Sequence, residues 1–509
     1  MPSNFLHHIT FRQRLLLVLL AGAITPLAFA PFKWYPLVLL TMGVLLLLSH
    51  TLTPKQGFWS GFLFGVGMFG IGVSWVFVSL HRFGNMSGPL AVFAVSIFVV
   101  ILSMFPALTM WAYIRSDMQR FTPGRLLVFP ALWVVFEWVR SWLFTGFPWL
   151  IMGYSQVPGV LSAAAPYIGV FGVSLLLVLS AALLVEWWAY GRNRWMLVSL
   201  VSVWVLVWLA GQIDWVQPQG QPIKIVAIQG NIGLDRKWDT RQSNNIVQQY
   251  LRQSAKHGDA DLIIWPEAAI PAYRDAIEST WLNQLRVQAR ETQTDFIIGI
   301  IEREKINGRQ TYYNSAISLG QSESLYRKRH LVPFGEFLPL KWLLGWLVNY
   351  LHIPMSDFSS GPDTAPLVKA AGQTIGISIC YEDAFGEEVI DALPEAGLLV
   401  NISEDAWFGD SLAPHQRLQI ASMRALESGR AMVRAANTGP SAHIDHRGKV
   451  LVKTGQFEAG SLQAEVQPMQ GATPYVRWGN AAFLLITGIM LATAFGLRRR
   501  QQTATANQD

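Results

Sequence analysis

Charge and cysteine are both scarce in this chain. Asp, Glu, Lys and Arg together make up only 14% of its 509 residues, and Cys380 is its single cysteine. A solitary thiol excludes an intrachain disulfide framework and any zinc site built from several thiolates. The ten histidines fall in no His-Glu-x-x-His pattern, and no Gly-x-x-x-x-Gly-Lys-Ser/Thr loop is present to cradle phosphates. Chemistry that needs a bound metal or nucleotide therefore has no motif here, and no cofactor is expected.

What replaces charge is apolar sequence. Hydrophobic residues reach 51% of the chain, and they concentrate in eight runs at 15–31, 35–51, 57–80, 89–114, 126–139, 159–185, 195–213 and 478–497. A helix needs roughly 20 apolar residues to cross hydrocarbon, so a bundle of about eight membrane helices is expected. The run at 126–139 is the least regular because it carries Glu137. Basic residues fix the orientation. With a cytoplasmic N-terminus, the inner segments hold Arg12, Arg14, Lys55, Arg115, Arg120, Arg125, Arg192, Arg194 and Arg498 to Arg500, whereas the outer loops hold little beyond Lys33 and Arg82. This asymmetry follows the positive-inside rule and accounts for the net charge of +6 without nucleic acid. Seven crossings before residue 214 put the following segment on the outer side, which in a bacterium with two membranes is the periplasm. The first run ends in Ala28-Phe29-Ala30, similar to a signal-peptidase site, but is read as an uncleaved first helix.

Two features of the apolar part look functional and are read otherwise. Gly65-Val66-Gly67-Met68-Phe69-Gly70 matches a dinucleotide fingerprint, yet no strand–turn–helix surrounds it. Glycines four apart in an apolar run favour close helix packing instead. Glu137 and Arg140 are spaced to pair on one helix face, or else to meet a lipid headgroup at the outer interface.

Between residues 217 and 468 the composition becomes that of a globular domain, long enough for its own core. The chain therefore divides into a membrane domain (1–216), an extramembrane domain (217–468) and a last membrane helix with a cytoplasmic tail (469–509). Gln217-Pro218-Gln219-Gly220-Gln221-Pro222 reads as the entry linker. Short β-branched runs at 223–229, 262–265, 296–301, 314–319, 374–380, 398–403, 431–436 and 441–445 read as strands. Helix-compatible stretches at 240–256, 280–291 and 416–429 alternate with them. That order predicts a layered α/β fold.

Three motifs carry chemistry. Cys380 ends an apolar strand in Gly376-Ile377-Ser378-Ile379-Cys380-Tyr381-Glu382-Asp383. A free cysteine is most often a small buried hydrophobe, but a thiol with a base and a cation beside it is the usual arrangement for covalent acyl transfer. Glu267 follows a buried run in Leu262-Ile263-Ile264-Trp265-Pro266-Glu267. Held against Trp265 and apolar neighbours, its pKa is expected to rise, which suits a general base. The basic run Tyr326-Arg327-Lys328-Arg329-His330 offers a cation to stabilise an oxyanion and favour a thiolate, though spacing does not choose among its members.

Together these motifs resemble the Glu-Lys-Cys triad of the nitrilase, or carbon–nitrogen hydrolase, superfamily. Set between seven membrane helices and one more, the domain resembles the apolipoprotein N-acyltransferase family. Further matching stretches are Gly230-Asn231, Lys237-Trp238, Asp405-Ala406-Trp407-Phe408-Gly409-Asp410, Arg434-Ala435-Ala436-Asn437-Thr438-Gly439, Gly146-Phe147-Pro148-Trp149 and Gly153-Tyr154. Glu404 departs from the pattern, in which Asn is more common. The resemblance implies an αββα sandwich with Glu267 as general base, Lys328 as oxyanion cation and Cys380 as nucleophile. It implies that Glu336 orients Lys328, that Glu382 supports the acyl-enzyme, and that Trp238, Tyr381 and Trp407 contact substrate. Its implied partners are a phospholipid acyl donor, probed first as the sn-1 ester of phosphatidylethanolamine, a diacylated apolipoprotein acceptor, and the bilayer of the bacterial inner membrane. The competing reading is a membrane-anchored amidase or nitrilase acting on a small C–N compound.

Overall fold

A computed structural model describes residues 9–191, 193–338 and 357–506. The chain forms two compact units, one of residues 1–76, 89–214 and 477–509, the other of 77–88 and 215–476.

The first unit is helical. Among the described residues, four helices are long and apolar enough to cross a membrane: Phe11–Ala28, Gly88–Arg115, Val160–Ala189 and Ala481–Thr503. A fifth candidate, Pro54–Gly72 with Trp75–Phe83, is bent by 51°. The expected count of eight is therefore not reached on length. Leu37–Leu48 and Phe129–Arg140 are 12 residues each, about 18 Å at 1.5 Å per residue, and Arg194–Ala210 has 17. The apolar runs are longer than the helices inside them. Pro36 delays the start of Leu37–Leu48, and a π-helical turn at Gly124–Val128 precedes Phe129–Arg140.

The glycine-rich run is a packing surface. A Cβ on Gly61 would lie 2.2 Å from the carbonyl oxygen of Pro106, and one on Gly65 2.7 Å from the Cα of Ser103. Pro54–Gly72 thus lies backbone to backbone against Gly88–Arg115. Gly67 faces the other way, where its Cβ would come 2.3 Å from the carbonyl oxygen of Leu19, whereas Gly70 has nothing within 4 Å. Gly67→Ala should therefore lower the thermal unfolding temperature in detergent, by roughly 1–3 kcal/mol of overpacking, while Gly70→Ala should leave it unchanged or raise it. Equal effects at the two sites would show that close packing is not what these glycines serve. Glu137 and Arg140 make no direct salt bridge; their hydrogen bonds go elsewhere. Glu137 Oε1 accepts from the Met152 amide at 2.9 Å, and Arg140 Nη1 donates to the Phe147 and Trp149 carbonyls, each at 2.6 Å. Arg125 and Glu186 form a buried ion pair in this unit.

Among the described residues, the second unit holds fourteen strands: β1 Val216–Pro218, β2 Ile223–Gln229, β3 Leu262–Ile264, β4 Asp295–Ile306, β5 Arg309–Leu319, β6 Ser324–Arg327, β7 Leu367–Ala370, β8 Gln373–Ile379, β9 Leu398–Ser403, β10 Met432–Ala436, β11 Ala442–Ile444, β12 Val450–Lys453, β13 Gly460–Val466 and β14 Met469–Gly471. They form two six-stranded sheets, ordered β13-β2-β3-β4-β5-β6 and β12-β11-β10-β9-β8-β7, and a β1-β14 ribbon. Each large sheet has three parallel strands, β2-β3-β4 in one and β8-β9-β10 in the other, flanked by antiparallel ones. The sheets touch each other along β2 and β10 and along β5 with β7 and β8. On the outer face of the first sheet, Ile246, Val247 and Tyr250 of Ser243–Ser254 and Leu285 and Ala289 of Asn283–Thr292 pack against Ile263, Trp265 and Phe296. On the outer face of the second, Leu418, Ala421 and Ala425 of Ala413–Ser428 cover Leu399 and Met432. The result is an αββα sandwich. Parallel strands collect their carboxyl ends on one side, where open α/β folds place ligands. Glu267, Cys380, Glu404 and Asn437 all follow such ends.

Candidate active site

Two strand ends and one hairpin bring the first carboxylates together. Beyond β3, Trp265 turns into the core, stacks on Tyr250 at 5.0 Å and donates its indole N–H to Ser254 at 2.9 Å. Glu267 turns the opposite way, toward polar groups rather than the apolar neighbours expected of it. Its Oε1 accepts from the Asn314 amide at 2.7 Å and its Oε2 from the Glu404 backbone N–H at 2.8 Å. Asn314, buried on β5, spends its second hydrogen on Glu336 Oε1 at 2.9 Å. One amide thus holds two carboxylates at a fixed spacing, which leaves a gap for a single cation.

Lys328 fills that gap. Its backbone N–H continues the hairpin by donating to the Asn314 carbonyl at 2.8 Å. Its fully buried Nζ lies 2.8 Å from Glu336 Oε2 and 3.9 Å from Glu267 Oε1. Burial alone would lower the ammonium pKa, but Glu336, Cys380, Glu267 and Glu382 outweigh it and hold the charge in place. Arg327 and Arg329, its neighbours in the basic run, point elsewhere, to Glu302 and to Asp391.

Cys380 is the first residue past β8 and has a φ of +55°, in the left-handed region that non-glycine residues occupy at a cost of order 1–3 kcal/mol. Two buried side chains secure its carbonyl, Asn401 Nδ2 at 2.9 Å and Arg417 Nη2 at 2.5 Å. Arg417 Nη1 also lies 3.7 Å from Sγ. Burial, then Glu267, push the thiol pKa up to about 12 against the lowering pull of Arg417 and Lys328. The resting group is a thiol, in contrast to the thiolate expected from a neighbouring cation, and it needs a base at the moment of attack. Alkylation of Cys380 by iodoacetamide should accordingly keep accelerating from pH 7 through pH 10, close to tenfold per pH unit, because the thiolate fraction grows that way below the pKa. A rate that levels off below pH 8 would reveal a preformed thiolate instead.

Glu382 braces the site from behind. Its two oxygens accept from the Ile379, Arg329 and His330 backbone N–H groups at 2.7, 2.7 and 3.1 Å and from the Tyr326 hydroxyl at 2.9 Å. Burial raises its pKa to about 7, partly offset by Lys328 and those amides. It stitches the cysteine turn to the lysine loop. Tyr381 is buried, with its ring 5.9 Å from Lys328 Nζ and its hydroxyl on the Leu331 carbonyl at 3.3 Å. Trp238 is half-buried, 5.9 Å from the ammonium of Lys237. Trp407 is held by the 77–88 segment: Ser79 donates to its carbonyl at 2.8 Å and Phe83 packs edge-on at 6.3 Å.

Asn314, Asn401 and Arg417 are site residues that the sequence motifs do not pick out. Each is a polar residue inside an otherwise buried strand or helix, and that misplacement is the available signal.

The chain matches the family profile described as "Apolipoprotein N-acyltransferase N-terminal domain" over residues 21–183 and that described as "Carbon-nitrogen hydrolase" over 224–475. A protein of Nitrosomonas europaea named apolipoprotein N-acyltransferase is 45% identical over 96% of this chain and 99% of its own length. One of the same name from Methylococcus capsulatus is 42% identical over 97% and 98%. The chain belongs to the apolipoprotein N-acyltransferase family. Among solved structures it is similar to Saccharomyces cerevisiae Nit3, a nitrilase-superfamily member, at 18% identity and a TM-score of 0.37 over 49% of this chain and 91% of that one.

Glu404, the expected departure from the family pattern, is integrated by its neighbours. Lys237 bridges the Glu404 carboxylate at 2.5 Å and the Glu267 carbonyl at 2.9 Å, and Asn437 donates to both Glu404 oxygens. The added charge is met by a buried cation. Glu404 also presents its backbone N–H to Glu267, a contact that an Asn there could equally make.

Proposed function

We propose that this chain transfers an acyl group from a membrane phospholipid, through a thioester on Cys380, to the α-amine of a diacylglyceryl-cysteine at the N-terminus of an apolipoprotein. The observation that carries this reading is the clustering of Glu267, Lys328 and Glu336 around Asn314, with Cys380 electrostatically coupled to all three. Names borne by full-length relatives support the substrate class.

Glu267 takes the Sγ proton as sulfur attacks the sn-1 ester carbonyl. The carbonyl π pair becomes an oxyanion facing Lys328, whose position Glu336 and Asn314 fix. Collapse breaks the C–O bond, and the departing lysophospholipid oxygen recovers the proton from Glu267. In the second half-reaction the lipoprotein amine attacks the thioester, Glu267 accepts its proton, and the thiol is regenerated. One site thus serves two substrates in turn, the condition for ping-pong kinetics. A buried sulfur keeps water from competing with the amine. The shorter apolar helices Leu37–Leu48, Phe129–Arg140 and Arg194–Ala210 complete eight crossings in this reading. The distribution of basic residues supports a periplasmic catalytic unit, on the outer face of the inner membrane.

The test uses detergent-solubilised protein and phosphatidylethanolamine labelled in its sn-1 chain. Lysophospholipid and protein-bound label should appear together, and a diacylated lipopeptide should then discharge the label as an amide. Free labelled fatty acid released at a rate indifferent to the lipopeptide would make the protein a hydrolase and overturn the reading.

A further inference from the structure

Lys328 is not the only cation at the sulfur. Arg417, on Ala413–Ser428, is fully buried, and its guanidinium holds the nucleophile at two atoms, Sγ at 3.7 Å through Nη1 and the backbone carbonyl at 2.5 Å through Nη2. The fork is itself fixed. Nη1 also meets Asp405 Oδ1 at 2.6 Å and Ser403 Oγ at 2.5 Å, while Asp405 Oδ2 is held by Arg434 at 2.6 Å. The two cations have different surroundings. Lys328 lies between Glu336 and Glu267, on the side from which the proton must be taken. Arg417 is paired instead with Asp405 at 2.6 Å and Asp383 at 3.5 Å, and it reaches the sulfur directly.

We propose that the two cations divide the reaction, with Arg417 the catalytic residue that carries the charge of the Cys380 sulfur and Lys328 the one that carries the charge of the substrate oxyanion. The division rests on Cys380 being the nucleophile. During acylation the S–H bond breaks toward Glu267, and the electron pair left on sulfur is met by Arg417 Nη1 until the S–C bond forms. During aminolysis the S–C bond breaks, and the same nitrogen stabilises sulfur as leaving group before it is reprotonated. A guanidinium fork holds carbonyl and sulfur through two separate nitrogens in a fixed plane, whereas an ammonium offers one nitrogen. Arg417 also keeps Cys380 at its positive φ, so nucleophile geometry and nucleophile charge depend on one side chain. Burial raises the thiol pKa and Arg417 lowers it, in keeping with this role.

The experiment compares the full-length wild type with Arg417→Met, Arg417→Lys and the double variant Arg417→Met/Asp405→Asn, the last removing the carboxylate that the first would strand. Iodoacetamide alkylation of Cys380 is followed against pH beside the melting temperature and the rate of acyl-enzyme formation from phosphatidylethanolamine. In variants that melt as the wild type does, the alkylation profile should move to higher pH. The rate at pH 8 should then fall about tenfold for each pH unit the profile moves. Arg417→Lys should fall between, because its one nitrogen is claimed by Asp405. A wild-type profile and wild-type acylation in a folded variant overturns the assignment, and failure of all three variants to fold reduces Arg417 to a structural residue and overturns it too. Absence of acyl-enzyme in the wild type would instead defeat the nucleophile reading, so the two failures are distinguishable.

Discussion

Cys380→Ala should abolish lysophospholipid release entirely while leaving the fold intact. The substitution removes one sulfur atom from a nearly closed site and keeps the β-carbon, so the positive φ at this position is no worse tolerated than before. The Asn401 and Arg417 bonds to the 380 carbonyl do not involve the side chain. The lost contacts amount to about 1 kcal/mol of burial, too little to unfold a domain whose core spans two sheets. Activity, by contrast, has no second thiol to fall back on, because no other cysteine exists in the chain. Residual turnover above about one part in a thousand, with melting unchanged, would mean that another group attacks the ester.

Lys328→Met should be nearly as damaging, for two separable reasons. Removing one preorganised oxyanion donor costs about 10²–10³ in rate. It also strands Glu336 and Glu267, whose oxygens lie 2.8 and 3.9 Å from the ammonium, with no buried cation between them. An uncompensated buried carboxylate costs about 3–5 kcal/mol of stability. The double variant Lys328→Met/Glu336→Gln distinguishes the two effects, since neutralising Glu336 should restore much of the melting temperature and none of the acyl-enzyme formation. Recovery of activity along with stability would demote Lys328 to a structural counter-ion.

The parts of this molecule that are legible in its sequence are those where local pattern and tertiary role coincide. β2, β3, β8 and β9 are short β-branched runs because strands of a covered parallel sheet are buried on both faces, and their ends can be read to within a residue. Glu267 and Cys380 stand out for the same reason, each following such a run, whereas nothing in the basic run separates Lys328 from Arg327 and Arg329. β12, β13 and the β1-β14 ribbon are not, because Gly460–Val466 and its neighbours alternate polar and apolar residues too weakly to stand out from loop. The long β4–β5 hairpin is visible only in its buried halves. Its outer ends are charged, and the Asn307-Gly308 turn with both φ values positive is the signal that joins them. In the membrane unit, apolar length overstates helix length, since prolines, glycines and π-turns interrupt runs that composition alone treats as continuous. Arg417 and Asn314 are hard to read for a different reason. Their partners lie 37 and 47 residues away, at Cys380 and Glu267, and a polar residue in a buried element does not by itself name the partner it faces.

Acyl transfer by the proposed route requires one covalent bond, a thioester on Cys380. Wild-type protein given phosphatidylethanolamine without an acceptor should, by tandem mass spectrometry of its peptides, carry a single acyl mass on Cys380 that neutral hydroxylamine removes. An acyl group found on any other side chain, or product formed with no adduct at Cys380 under single-turnover conditions, would contradict the mechanism.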